Sequence, residues 1–401
     1  MELRPGGQRR IRRAARTAVL VACIATLVAA CSDEAPRTAP TTTAASGEAG
    51  MRLDQLQWVG THNSYHVAPQ AEILDAMRAF VTAAPELKES LGDPASLDYT
   101  HAPLPTQLER GIRTFELDIV ADPEGGRFAS PRAPQLVALS NPVLPSGMDQ
   151  PGFKVIHIPD IDYISTCPTL QACLGEIVEW SEDHPRHLPI VINLELKGDA
   201  LGVPDDLGFA QVVPIDAAQL DAVDGELRRA LGDRLIEPDD VRGDAADLRT
   251  AITRRGWPLV SQSRGKVLVF MDNADLRDAY LEGHDSLRGR AMFTSSGEGA
   301  PDGAILKEND PGDGSRIRSL VEAGYLVRTR ADDDPAGPLP VAQRDTALSS
   351  GAQIVHTDFP TGEPHPSGYV VSLGSPVSVR CNPVTARGDA CRAADVSEPT
   401  G

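Results

Sequence analysis

Two histidines, one asparagine and three carboxylates stand in or just after strand-like segments of this 401-residue chain. They are His62 and Asn63 in Thr61-His62-Asn63-Ser64-Tyr65, Glu116 and Asp118 in Phe115-Glu116-Leu117-Asp118, His157 after Val155-Ile156, and Glu195 closing Val191-Ile192-Asn193-Leu194-Glu195. A pair of imidazoles can take and give protons near neutral pH. An amide oxygen with three carboxylates is an all-oxygen ligand set, which suits a hard cation such as Ca2+. Together these groups fit phosphodiester cleavage, in which protons move at two oxygens while a cation offsets charge on the phosphate.

Strand periodicity supports convergence. Residues two apart share a face, so Glu116 and Asp118 point one way while Phe115, Leu117 and Ile119 point the other. Asn193, Glu195 and Lys197 likewise oppose Ile192, Leu194 and Leu196. Carboxylates inside an apolar strand are costly without a counter-ion, which favours a metal over a salt-bridged strand mouth. Pairing of Glu195 with Lys197 is the competing reading. His62 and Asn63 are neighbours and would diverge in a regular strand. Both reach one site only if the strand ends there, and Gly60 offers such a break. Lys197, Arg328 and Arg330 are candidates for substrate phosphate or head group. Asp272 and Asp358 end two further strand candidates. For each of these five a structural ion pair competes. His66, His101, His184, His187, His284 and His356 have no supporting pattern, and 184–187 reads as a solvated loop away from the chemistry.

The elements that would position these residues alternate along the chain. Strands are expected at Leu56–Val59, Thr114–Val120, Lys154–Ile158, Ile190–Leu196, Lys266–Asp272, Ala291–Thr294, Tyr325–Thr329 and Gln353–Thr357. Helices are expected at Leu104–Arg110, Leu170–Asp183, Ala217–Leu231, Ala246–Arg254, Ser315–Ala323 and Val341–Ser350. Repeated βα units with eight strands imply an α/β fold, a single irregular TIM-type (β/α)8 barrel over 51–370. The long, turn-rich segments 67–103 and 121–153 follow the first two strands and should lie over the active face. Residues 371–401 form a C-terminal extension.

The ordered set (His62-Asn63 on strand one, Glu116-x-Asp118 on strand two, His157 on strand three, Glu195 on strand four) resembles the calcium-dependent, phosphatidylinositol-specific phospholipase C family, most nearly its secreted actinobacterial branch. The resemblance spans roughly 51–370. It implies a PLC-like phosphodiesterase barrel in which an inositol hydroxyl attacks the phosphodiester. It implies that His62 donates hydrogen bonds to the developing charge. His157 would protonate the diacylglycerol oxygen and then act as base in hydrolysis of the cyclic phosphate. Asn63, Glu116, Asp118 and Glu195 would hold Ca2+, with Glu116 or Asp118 taking the hydroxyl proton. Three alternatives differ in identifiable ways. A glycerophosphodiester phosphodiesterase of the same superfamily would carry His-Arg-Gly where this chain has His62-Asn63-Ser64. The metal-independent bacterial phospholipase uses an arginine in place of calcium, against three carboxylates here. A non-catalytic surface-binding lipoprotein would not need both His62 and His157.

The N-terminus reads as an export signal over 1–30, with six arginines flanking the apolar run 17–30. Leu27-Val28-Ala29-Ala30-Cys31 resembles a lipobox, so Cys31 is expected to carry a lipid anchor, with plain secretion as the alternative. A tether rich in Thr, Ala, Pro and Ser follows to residue 50. Removing a leader of net +5 from a chain of net −19 leaves −24. That excludes nucleic acid as a partner and gives no general attraction to anionic lipid. Partners are then a phosphoinositide or other phosphodiester and the membrane at Cys31, with the protein a monomer. Cys167, Cys173, Cys381 and Cys391 allow three connectivities. The local pairs 167–173 and 381–391 are the simplest, and zinc is a weak alternative for want of a Cys-x-x-Cys spacing.

Overall fold

Parallel strands covered on both faces need near-continuous apolar sequence, broken only by inward polar groups that find partners. The computed structural model describes residues 50–83, 85, 92–200, 202, 205–374, 376–386 and 391–398. Its strands are β1 (Leu56–Thr61), β2 (Thr114–Asp122), β3 (Gly152–Val155), β4 (Ile190–Lys197), β5 (Leu235–Ile236), β6 (Val267–Met271), β7 (Phe293–Thr294), β8 (Ile305–Lys307), β9 (Leu326–Arg330), β10 (Ile354–Thr357) and β11 (Val379–Cys381). The signal, Cys31 and the tether up to residue 49 lie outside the described residues. Among the described residues no helix is long and apolar enough to cross a membrane.

Parallel ladders join β2, β4, β6 and β7 in one run and β8, β9, β10 and β1 in another. The runs meet at two seams. At one, Ser295 bridges Ile305 in parallel. At the other, β1 passes close to β2 without a ladder. A Cβ on Gly60 would lie 1.9 Å from the Thr114 carbonyl oxygen, so only glycine permits that approach. Eight parallel strands in this order are the TIM-type arrangement, with the segments after the strands gathered at one end.

The third expected strand is corrected. β3 is antiparallel to the outer half of β2, with Ile119 opposite Val155, and His157 lies beyond it. A parallel return requires a crossover packed on the sheet, and the segment 123–151 supplies only the five-residue helix Arg132–Leu136. The eighth barrel strand is instead β8, whose three residues are too short to show a period.

Outside the strands, α1 (Ala71–Ala83) lies in the first insertion and α2 (Leu104–Glu109) precedes β2. α3 (Arg132–Leu136) lies in the second insertion. α4 (Leu170–Asp183), α5 (Ala217–Leu231) and α6 (Leu248–Arg254) start at side-chain caps. Thr169 accepts from the Ala172 N–H, Asp216 from Ala218 and Gln219, and Asp247 from Thr250. The main core joins the outward residues of the strands, such as Phe115, Leu117, Ile192 and Leu194, to these helices. A second cluster, including Ile73, Met77, Leu97, Ile156 and Ile161, sits beneath the two insertions.

Both local disulfides form, Cys167–Cys173 and Cys381–Cys391. The second closes a loop beside β11, which adds antiparallel to β1. Further on, Glu398 accepts from the buried Arg113 guanidinium at 2.5 Å and from the Leu188 N–H at 2.6 Å. The loop 184–187 is not fully solvated. His187 is buried between the Ser181 hydroxyl (2.9 Å) and the Leu188 carbonyl (2.6 Å), and burial pushes its pKa down to about 4. The adjacent Trp180 ring draws this segment inward by stacking on His184 at 4.1 Å.

Candidate active site

β1 ends at Thr61, and the chain turns at Asn63 (φ 45°), a left-handed conformation that asparagine tolerates. The break is thus at Asn63, and Gly60 serves the β1–β2 approach instead. The turn is tied down on both sides. The Thr61 hydroxyl bonds Ser64 Oγ (2.6 Å) and Gln107 Oε1 (2.8 Å), while the Ser64 N–H reaches the Glu116 carbonyl (2.9 Å) and the Glu116 N–H reaches Ser64 Oγ (2.8 Å). His62 and Asn63 are thereby held over the start of β2.

The β2–β4 register places Glu116 beside Asn193, Asp118 beside Glu195 and Val120 beside Lys197. Oxygens of Glu116, Asp118 and Glu195 lie within 4.8 Å of one another. The three carboxylates differ in their partners. Glu116 accepts from Arg328 Nη2 (2.6 Å) and from His356 Nδ1 (2.9 Å). Burial works against its charge, but Arg328, then His62 and His356, outweigh it and hold the carboxyl well below the usual range. Asp118 is equally buried, yet neither of its oxygens accepts a hydrogen bond. The Lys197 ammonium forms an ion pair with Oδ2 at 3.1 Å. Burial first, and Glu195 in addition, push the Asp118 pKa up to about 7 against the pull of Lys197. Glu195 does pair with Lys197, at 2.7 Å.

The buried carbonyl oxygens Asn63 Oδ1 and Asn193 Oδ1 also lack donors. Buried oxygens without donors are expensive, and their grouping on β2, β4 and the Asn63 turn is what a hard divalent cation would satisfy. The donor set fits Ca2+: Glu116, Asp118 and Glu195 cluster, and Asn63 and Asn193 offer two further oxygens without donors.

Each histidine is oriented by a carboxylate. His62 Nδ1 is 2.8 Å from Asp358 Oδ1, and its Nε2 is 3.2 Å from Arg330 Nη1. Burial and Arg330 lower its proton affinity against Asp358 and Glu116. His157 Nδ1 is 2.8 Å from Asp162 Oδ2. Burial opposes its charge, but the Asp162 bond and the charges of Asp162 and Asp118 prevail and raise its pKa. Asp162 Oδ2 also bonds the fully buried His66 at 2.8 Å, and His66 is fixed in turn by the Tyr99 carbonyl at 3.1 Å.

Several placements depart from the sequence expectations. Arg328 is 2 % exposed and engaged by Glu116 and Asn309 inside the barrel, so its guanidinium is not free for a head group. Arg330, two residues on, reaches the mouth beside His62 and pairs with Asp358 at 3.1 Å. Asp272 takes the ion pair considered for it, with Lys307, and also accepts from Asn193. His66, His101 and His356 carried no sequence signal yet support the site, His101 through the His62 carbonyl at 3.0 Å. Asp162 was missed as well. Its position five residues after His157, in a turn-forming Pro-Asp-Ile-Asp stretch, was the only local signal.

A cavity of about 520 Å³ opens over this constellation, lined by His62, Asn63, Tyr99, His157 and Lys197 among others. The first insertion contributes Asp93, Ser96, Leu97 and Tyr99 to its wall.

The family model described as phosphoinositide phospholipase C, Ca2+-dependent, matches residues 51–383. A calcium-dependent phosphoinositol-specific phospholipase C from Pseudomonas sp. is 16 % identical, with 84 % of this chain and 97 % of that one covered, at a TM-score of 0.49. A Ca2+-dependent phosphatidylinositol-specific phospholipase C from Streptomyces antibioticus is 17 % identical, with 77 % and 95 % covered, at 0.48. The phosphatidylinositol-specific phospholipase C of Listeria monocytogenes is 14 % identical, with 75 % and 81 % covered, at 0.36. No curated protein sequence matches the chain.

Proposed function

The chain belongs to the Ca2+-dependent phosphoinositide phospholipase C family, and from that premise we propose that it cleaves phosphatidylinositol by attack of an inositol hydroxyl on its own phosphodiester. The observation that carries the reading is a cluster of three carboxylates, Glu116, Asp118 and Glu195, with Asp118 accepting no hydrogen bond, together with two carboxylate-oriented histidines, His62 and His157, that line one cavity with Asn63 and Lys197. Ca2+ held by Asn63, Glu116, Asp118 and Glu195 would acidify the attacking hydroxyl and offset phosphate charge.

The remaining steps fall to the chain's own groups. Asp358 accepts from His62 Nδ1, which makes Nε2 the acceptor, engaged in this structure by Arg330 Nη1 at 3.2 Å. His62 is thus set to accept the hydroxyl proton once Arg330 turns to the phosphate, where the resemblance implied a donor. Arg330 beside it is the cation for the phosphate oxygens. His157, whose proton affinity Asp162 raises, gives its proton to the departing diacylglycerol oxygen and then serves as base toward water in opening the cyclic phosphate. Lys197, paired in this structure with Glu195, is the second cation near the phosphate. Export and a lipid on Cys31, with 32–50 as tether, would hold this site at a membrane surface.

His62→Ala and His157→Ala are each expected to lower turnover of phosphatidylinositol by 10² or more while leaving the melting temperature within a few degrees. Near wild-type turnover in either variant would overturn the assignment.

A further inference from the structure

The groups that bind a head group account for only one end of a lipid, and a second cavity lies beside the first. It is a groove of about 210 Å³ lined by Ile73, Ala76, Met77 and Phe80 of α1, by Ala133, Leu136 and Val137 of and after α3, and by Ile161, Leu207 and Phe209. Among the described residues no charged or polar side chain lines it.

The two cavities are lined by different residues but rest on one apolar cluster. Leu97 and Ile158 line the mouth, and both belong to the same apolar cluster as Ile73, Met77, Ala133 and Ile161 of the groove. Residues after β4 contribute to both, Asp199 and Gly202 at the mouth and Leu207 and Phe209 at the groove. The cluster under the groove thus reaches the mouth at Leu97 and at Ile158, the residue after His157.

Exposed apolar side chains gather on the same elements. Five large hydrophobic side chains are exposed among the described residues, and four of them (Phe80, Leu136, Val143 and Leu144) belong to the two insertions that build this face. The insertions are latched together by Gln70, which bonds the Val143 N–H at 2.8 Å and the Asn141 carbonyl at 3.1 Å. Contiguous exposed apolar surface marks a binding face. A chain this acidic gains nothing from anionic lipid surfaces, so attraction to a lipid must come from burial of hydrocarbon.

We propose that this groove seats one acyl chain of the lipid whose head group occupies the mouth, so that the enzyme recognises diacyl substrate by hydrocarbon as well as by inositol phosphate. The proposal rests on the phosphatidylinositol reading of the mouth. An apolar cavity of about 150 Å³ takes up benzene, so the groove holds a stretch of methylenes near the glycerol rather than a whole tail. The occupant is neutral hydrocarbon, in keeping with a lining that offers no hydrogen bond.

Calorimetric titration of the protein with monomeric dihexanoylglycerol and dioctanoylglycerol tests this without a head group. Dioctanoylglycerol should bind roughly 15-fold more tightly, since two more methylenes in the one seated chain contribute ~0.8 kcal/mol each. Ala76→Phe fills the groove from an exposed helix position and should abolish that ratio, as should Phe80→Asp at the rim, with folding checked by the melting temperature. Equal binding of both diacylglycerols by the wild type would overturn the proposal, as would a ratio that survives in both variants. A 15-fold ratio in a protein that turns over no inositol lipid would keep the groove and remove the phosphodiesterase reading. Turnover with no ratio would remove the groove alone. Loss of binding to phosphatidylcholine vesicles in Phe80→Asp, with no ratio on monomers, would make this face a flat bilayer contact and refute the groove.

Discussion

Asp118→Asn should stabilise the calcium-free protein while destroying its response to calcium. The Asp118 carboxyl is buried, accepts no hydrogen bond, and has its pKa pushed up to about 7 from 3.8, chiefly by burial. The folded chain thus holds this proton more tightly than the unfolded one. Ionisation weighs against folding as pH rises from the unfolded value, and the full penalty stands above about 7. Roughly three pKa units at 1.36 kcal/mol each make about 4 kcal/mol. The amide carries no charge, and Lys197 keeps Glu195 as partner. The expected gain is therefore about 2–4 kcal/mol at pH 8 in chelator, several degrees in melting temperature. With calcium at a hundredfold excess over its Kd the wild type should gain ~2.7 kcal/mol, and Asp118→Asn should gain almost nothing. Differential scanning calorimetry at pH 8, with chelator and then with calcium, reads both quantities. A variant less stable than wild type in chelator, or one that keeps the calcium shift, would refute the reasoning that Asp118 is an orphaned cation ligand.

Two further outcomes follow from carboxylates outside the metal cluster. Asp162→Asn removes the anion that raises the His157 pKa, so the alkaline limb of the turnover profile should move to lower pH and kcat should fall about 10-fold or more. An unmoved limb would separate Asp162 from the acid. Glu398→Gln leaves the buried Arg113 without its anion and should cost about 3 kcal/mol. Burial opposes the Glu398 charge, but Arg113 and the Leu188 N–H outweigh it, so its folded pKa lies below the ordinary value. Its contribution is present above the unfolded pKa and lost as pH falls through the folded one. The stability gap between wild type and Glu398→Gln should therefore close in acid, as urea melts at pH 7 and pH 3 would show.

The sequence reveals the strands better than their partners. Seven of the eight expected strands are barrel strands, because buried parallel strands are written as apolar runs with a polar alternate face. The Glu116/Asp118 and Glu195 faces meet because the β2–β4 register aligns 116 with 193 and 118 with 195. Period two anticipates the faces but not the register. The failures are non-local. The direction of β3 depends on the absence of a packed crossover rather than on its own residues. The three residues of β8 fall below any pattern length. Arg328 and Arg330 share a strand face, yet one is drawn inward by Glu116 and the other stays at the mouth with Asp358 and His62. His66 and His356 act through Asp162 and Glu116, 96 and 240 residues away in sequence. No local spacing carries such partnerships.

The most direct test of calcium-dependent attack by the inositol hydroxyl is the identity of the first phosphorus-containing product. Phosphorus NMR during turnover of phosphatidylinositol by the wild-type protein should show a cyclic inositol phosphate appearing first and opening later to inositol phosphate, with both signals absent in chelator. A first product that keeps glycerol on phosphorus, or a cyclic product formed at an undiminished rate in chelator, would contradict it.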